Sequence, residues 1–192
     1  MSSRYEQILE ANASDTPMPW RVFARRRPFA PRDPAIMWDS LAYGYQRAAD
    51  IVAKEFCDRD RNQILSAPIF FLYRHYVELK LKGAWQQYFS RGWLNSGPPT
   101  NNHELLGLWN TVREVSVNHG LFDAGDEFVA RVQQSIELFD SIDKRSTHSR
   151  YPEVGGEFHS LDLEVEAFIL AVDDIDTFFF GLDARIDIHD GY

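Results

Sequence analysis

Residues 68–91 read PIFFLYRHYVELKLKGAWQQYFSR, and this stretch decides the fold. Apolar residues recur at helical spacing around most of its circumference, with no strand-type alternation. A helix that is apolar nearly all round must be surrounded by other helices. The segment is therefore expected to be the central helix of an all-α bundle, starting near Ser66 and Pro68 and ending near Gly92. The loop GWLNSGPPTNN follows, rich in turn-forming residues.

Other helices are expected on both sides. Asp33 is a good N-cap and Pro34 suits a first helical position. Met37, Leu41, Tyr45, Ala48, Val52 and Phe56 then recur at three- and four-residue spacing, which predicts a helix over about 34–57 and a polar break at Asp58–Asn62. A third helix is expected from Asn101, with Glu104 as a capping-box variant, to Asn118, with Gly120 at C′. A fourth runs from about Ala124 to Lys144, its stripe being Phe128, Val132, Ile136 and Phe139. The fifth starts near Ser160 or Asp162, carries Val165, Phe168, Val172, Ile175 and Phe179, and closes at Gly181. The expected organisation is an irregular arm over 1–33, an antiparallel five-helix bundle over 34–181 and a short polar tail over 182–192.

Composition limits the function classes. With 192 residues, 44% hydrophobic and 26% charged, the chain can form one core without disulfides or metal. The net charge of −9 excludes a whole-molecule basic field for nucleic acid, though not a local basic patch. Cys57 is the single cysteine, so an intramolecular disulfide and a Cys-based zinc site are excluded, in keeping with a reducing cytoplasm. No apolar run reaches a membrane span and the first residues do not read as a signal peptide, so a cytoplasmic protein is expected. Aromatic residues, at 14%, imply a thick core or a buried interface.

The arm opposes the charge of the rest. Between Pro17 and Pro34 it carries Arg21, Arg25, Arg26, Arg27 and Arg32 among its prolines, with Trp20, Phe23 and Phe29. It reads either as a strap over an acidic bundle or as a phosphate- or protein-binding arm.

Two sets of residues could do chemistry. On the central helix, Arg74, Glu78, Lys82 and His75 fall on one arc at roughly 0°, 40°, 80° and 100°, flanked by Phe71, Trp85 and Phe89. The arc reads either as a solvated face of i,i+4 ion pairs or as a polar seam in a groove or dimer interface. After the fourth helix, Asp143 to Pro152 pack Lys144, Arg145, His148, Arg150 and Tyr151 together. These cations either complement a helix C-terminus or form a phosphate-binding and acid/base set. His103, at the start of the third helix, is expected to cap or pack. His159 and His189 have no partners at metal-ligand spacing, so no metal or cofactor is expected.

The order LYRHYVELKLKGAW (72–85), NNHELLGLW (101–109), FDSIDKRSTHSRYP (139–152) and a last long helix resembles the HEPN superfamily over about 35–181. The likeness lies in Glu78 followed by Lys80 and Lys82, in His103 opening a leucine-rich helix, and in Arg150-Tyr151-Pro152 before the last helix. The resemblance implies a homodimeric prokaryotic bundle of toxin–antitoxin or phage-defence type. Many members are metal-independent ribonucleases with an Arg followed four to six residues later by His. This chain departs from that signature. His159 is too far beyond Arg150, Arg145 to His148 is too short, and Arg113 to His119 has the spacing too early in the chain.

The leading expectation is thus a HEPN-like module that binds a nucleotide, RNA or protein partner without cleavage, through Arg74, His75, Glu78, Lys82, Arg145, Arg150 and Tyr151. The alternative is a metal-independent endoribonuclease using His148 or His75 as acid/base and Arg145 or Arg150 on the phosphate. A third reading is an interaction subunit that engages a protein partner through residues 1–33.

Overall fold

The structure, a computed structural model, describes residues 34–58, 63–143 and 164–191. The arm and the loop bearing Arg145, His148, Arg150 and Tyr151 lie outside the described residues. Among the described residues there are five helices: α1 Pro34–Asp58, α2 Ser66–Ser90, α3 Leu105–Asn118, α4 Glu127–Ile142 and α5 Val165–His189, with a 3-10 turn at Gln63–Leu65. There is no strand among the described residues. The all-α bundle is the fold expected from the apolar periodicity.

Helix α2 occupies the centre. It packs against α1, α3 and α5, while α4 closes the ring by packing on α3 and α5. Side chains on α2 tie the neighbours in place. Tyr73 Oη donates to Asp50 of α1 at 3.0 Å and Tyr76 Oη to Asp176 of α5 at 2.5 Å. Lys80 pairs with Asp39 of α1 at 2.9 Å, and the Tyr88 and Ser116 hydroxyls share a bond of 2.6 Å across to α3. Burial, reinforced by their carboxylate partners, pushes the Tyr73 and Tyr76 phenols upward, so both remain neutral donors. The rings fill the core: Phe70 contacts Phe139 and Phe168, and Phe178 contacts Trp109, Phe122 and Phe179.

Four expectations about the helices are corrected. The buried side of α1 is Ala42, Ala49, Ala53 and Phe56, whereas Met37 and Leu41 are half-exposed. Small residues let α1 lie close on α2, where a Cβ on Gly83 would sit 3.2 Å from that of Trp38. Helix α3 begins at Leu105 rather than Asn101, and its first N–H groups are met from outside the helix. Asp140 Oδ1 of α4 accepts from Leu105 N at 2.9 Å and from Leu106 N at 3.4 Å, and Asn102 Oδ1 accepts from Glu104 N. Helix α4 likewise starts late, at Glu127, where the Asp126 carboxylate caps Phe128 N and Val129 N.

The C-terminal boundary moves furthest. Helix α5 passes through Gly181 to His189, so 182–189 is helix rather than tail. Leu182 and Ile186 are fully buried and carry the apolar stripe onward. The left-handed glycine that follows the helix is Gly191, at φ +85°. Gly120 does hold the expected C′ position, at φ +68°, with its N–H and that of Leu121 closing the end of α3. No helix among the described residues is long and apolar enough to cross a membrane.

Candidate functional site

Arg74, Glu78 and Lys82 recur at four-residue spacing along α2 and are 0%, 2% and 4% exposed. They are neither a solvated face nor an open seam. The helix turns this stripe toward the loop before α3 and the end of α4, where the three side chains satisfy one another and the backbone around them.

Each bond has a structural consequence. Arg74 Nε donates to the Asp143 carbonyl at 2.8 Å, and Nη2 donates to the His103 carbonyl at 2.6 Å. Its Nη1 reaches Glu78 Oε2 at 3.5 Å. One guanidinium thereby fixes the exit of α4 and the approach to α3 onto α2. Lys82 Nζ donates to Glu78 Oε1 at 2.8 Å. The same oxygen meets His103 Nδ1 at 2.9 Å. Burial alone would raise the Glu78 carboxyl, and it is the largest single influence. The bonds and charges of Lys82 and then His103 outweigh it together and hold Glu78 below its ordinary value.

His103 is the element of the site that can meet a ligand. Its side chain is 45% exposed, against 3% for that of Glu78. The loop that carries it is held from two sides, by Arg74 on its carbonyl and by the Asn102 and Asp140 caps next to it. With Nδ1 facing a carboxylate, that nitrogen carries the proton and Nε2 is the ring atom left for an incoming group. The pair can orient a donor toward an anion, or an acid/base toward a reacting oxygen.

His75 belongs elsewhere. Its ring centroid lies 4.3 Å from that of Tyr45 and 5.9 Å from that of Phe71, on the α1 side of α2. The structure thus brings Arg74, Glu78 and Lys82 together, leaves His75 apart and supplies the imidazole of His103 instead. Capping and packing do not describe His103, whose ring bonds a carboxylate on another helix. A histidine in a polar NNHE run just ahead of a leucine-rich helix was the available signal.

Two other features stand apart. His119 stacks on Trp93 at 4.0 Å, with His189 edge-on to the same indole at 5.0 Å. Arg113, which has formal Arg–His spacing to His119, instead bonds Gln133 of α4. A groove of about 340 Å³ beside α3 and the start of α4, lined by Asn110, Arg113, Glu114 and Asn118 among others, shares no residue with the ionic cluster. No group of three or more potential ligands that could hold a metal occurs among the described residues.

Fold and site together define an all-helical bundle with a buried carboxylate that orients a surface imidazole. No protein-family model matches the chain, and neither does any curated protein or solved structure.

Proposed function

We propose that this chain is a HEPN-like module that binds a phosphate-bearing ligand, a nucleotide or RNA, on the surface where His103 emerges. The observation that carries the reading is the His103–Glu78 bond. The buried carboxylate fixes the ring through Nδ1, so in its imidazolium form the ring would offer Nε2–H to a phosphate oxygen as a charge-assisted donor. Asp143, whose carbonyl Arg74 holds, is also where the sequence enters the run bearing Arg145, His148 and Arg150. Those cations are the second half of the proposed site.

The ribonuclease alternative needs more than this pair. Attack of a 2′-hydroxyl requires a proton taken from one oxygen and another given to the leaving oxygen. Among the described residues only His103 is offered to such a centre, because His75 is packed between Tyr45 and Phe71. Binding without cleavage is the preferred reading because the Arg-then-His spacing of the family's ribonucleases is met neither from Arg145 to His148 nor from Arg150 to His159.

Fluorescence anisotropy with a labelled single-stranded RNA and with a labelled ATP analogue tests it. His103→Ala is expected to weaken one of these ligands at least ten-fold with an unchanged melting temperature, and Arg145→Ala with Arg150→Ala to weaken it further. Unchanged affinity in both variants overturns the reading. RNA cleavage by wild type in EDTA, lost in His103→Ala, moves the assignment to the ribonuclease. Sedimentation of the full chain tests the homodimer that the family resemblance implies.

A further inference from the structure

The outer face of α5 leaves three large apolar side chains in water: Leu170, Phe180 and Ile188 are 69%, 79% and 72% exposed. Their arrangement is regular. Leu170 and Ile188 lie five turns apart on one line of the helix, roughly 27 Å along its axis. Between them within about 40° of that line stand the small residues Thr177, Gly181 and Ala184, together with Asp174, which pairs with Arg131 of α4 at 3.6 Å. A Cβ added at Gly181 would meet nothing within 4 Å, so the middle of the line is open. A neighbouring line carries Asp173, Phe180 and Asp187 at seven-residue intervals, with both carboxylates exposed.

Charge decides what fits here. From Val165 to Ala184 α5 contains no Lys or Arg. The cation at its edge is Arg131 of α4, which pairs with Asp174 on the side of the line away from Phe180, so the Asp173–Phe180–Asp187 line carries acidic charge only. Arg185 turns away, bonding the Leu121 carbonyl and covering the Phe122 ring at 4.3 Å. The apolar exposure on α1 gives no such instruction, because its rim carries Arg47–Asp50 and Lys54–Asp58 pairs of both signs. A second copy is also disfavoured on α5. An antiparallel two-fold pairing of α5 centred on Phe180 sets Asp173 against the partner's Asp187, bringing like charges together twice.

We propose that this face of α5 docks a basic amphipathic helix of a partner protein. The partner's apolar ridge lies along the Leu170–Ile188 line, over the small residues, with Phe180 against its flank. Its Lys or Arg side chains meet Asp173 and Asp187. The proposal is independent of the ligand site at His103.

The test uses the full chain and two labelled 18-residue helix-forming peptides with the same leucine spacing, one carrying Lys and the other Glu at the polar positions. The Lys peptide is expected to bind, and the Glu peptide not to. Asp173→Lys with Asp187→Lys should weaken the Lys peptide at least ten-fold, as should Phe180→Ser. A control reversal, Glu114→Lys with Glu127→Lys, should change it less than two-fold. Equal loss in the control reduces the effect to bulk charge and overturns the proposal, as does failure of the Lys peptide to bind. Displacement of the probe by a peptide of residues 17–33 assigns the face to this chain's own arginine-rich segment and overturns it. A dimer in sedimentation that Phe180→Ser dissociates does the same in favour of a second copy.

Discussion

Glu78 and His103 share a hydrogen bond of 2.9 Å across the boundary between core and solvent, with the carboxylate buried and the imidazole half-exposed. The bond gives a core ion pair a surface readout. It also makes Glu78 the common partner of Arg74, Lys82 and His103, so its removal is felt by all three.

Glu78→Ala is expected to cost about 3–5 kcal/mol, because it leaves two buried cations without their carboxylate. Urea unfolding measures it. A loss below about 1 kcal/mol, the range of solvated ion pairs, would mean that water enters the cluster.

The pH dependence follows from the same carboxylate. Glu78 titrates below the ordinary 4.5 because Lys82 and His103 overcome the effect of its burial. A depressed carboxylate contributes stability that is present above the unfolded value and lost as pH falls through the folded one. The stability difference between wild type and Glu78→Gln should therefore shrink as pH falls below 4.5. A difference that grows in acid contradicts the pairing.

Asp140 acts without touching the ion pairs. Its Oδ1 accepts the N–H groups of Leu105 and Leu106, so α4 caps α3 across a tertiary contact. Asp140→Ala should cost about 1–3 kcal/mol, at or above the usual range for a lost cap because the donors are left buried. Asp140→Asn keeps an acceptor and should recover more than half of that loss in the same denaturation experiment.

How much of this was legible depends on what the sequence encodes locally. The helices were, since their apolar periods lie within single segments, as along Val165, Phe168, Val172 and Ile175. The stripe of Arg74, Glu78 and Lys82 was visible from spacing, but its burial was not. An i,i+4 ladder of charges reads the same in water and in a core, and here the decision lies with the His103 and Asp143 carbonyls on other segments. His103 was undervalued because its carboxylate lies 25 residues away. The buried side of α1 was misjudged because Ala42, Ala49 and Ala53 carry little hydrophobic signal. Their value is close approach, which only the neighbouring helix reveals.

Asp183 provides a prediction of opposite sign to Glu78. Burial, then the neighbouring Asp39 and Asp187 charges, raise its carboxyl above the ordinary 3.8 against the pull of Gln87 and Lys80. A raised carboxylate favours folding only below its unfolded value, and that contribution is lost as pH rises through the folded value. Asp183→Asn keeps an acceptor for the Gln87 amide, which lies 2.8 Å away. At pH 7 the variant should melt about 2–4 °C higher, the shift expected of roughly 1 kcal/mol in a chain of this size. The advantage should vanish below pH 3.8. A lower melting temperature at pH 7 would show that the Asp183 charge stabilises the fold.

Gly181 separates the two accounts of how α5 ends. If the helix closed there, the glycine would hold a left-handed conformation, and an alanine would be strained by about 1–2 kcal/mol. In the structure it lies inside a helix that continues to His189, and its Cβ position faces open space. An alanine then gains the difference in helix propensity, about 1 kcal/mol, with no neighbour to displace. Gly181→Ala is accordingly expected to raise the urea midpoint, with an unchanged slope. A lowered midpoint would restore Gly181 as the helix terminus and detach Leu182 and Ile186 from the core stripe. The same substitution also fills the open middle of the Leu170–Ile188 line. Stabilisation of the fold together with weaker binding of the basic peptide would therefore place Gly181 both inside the helix and under the docked partner.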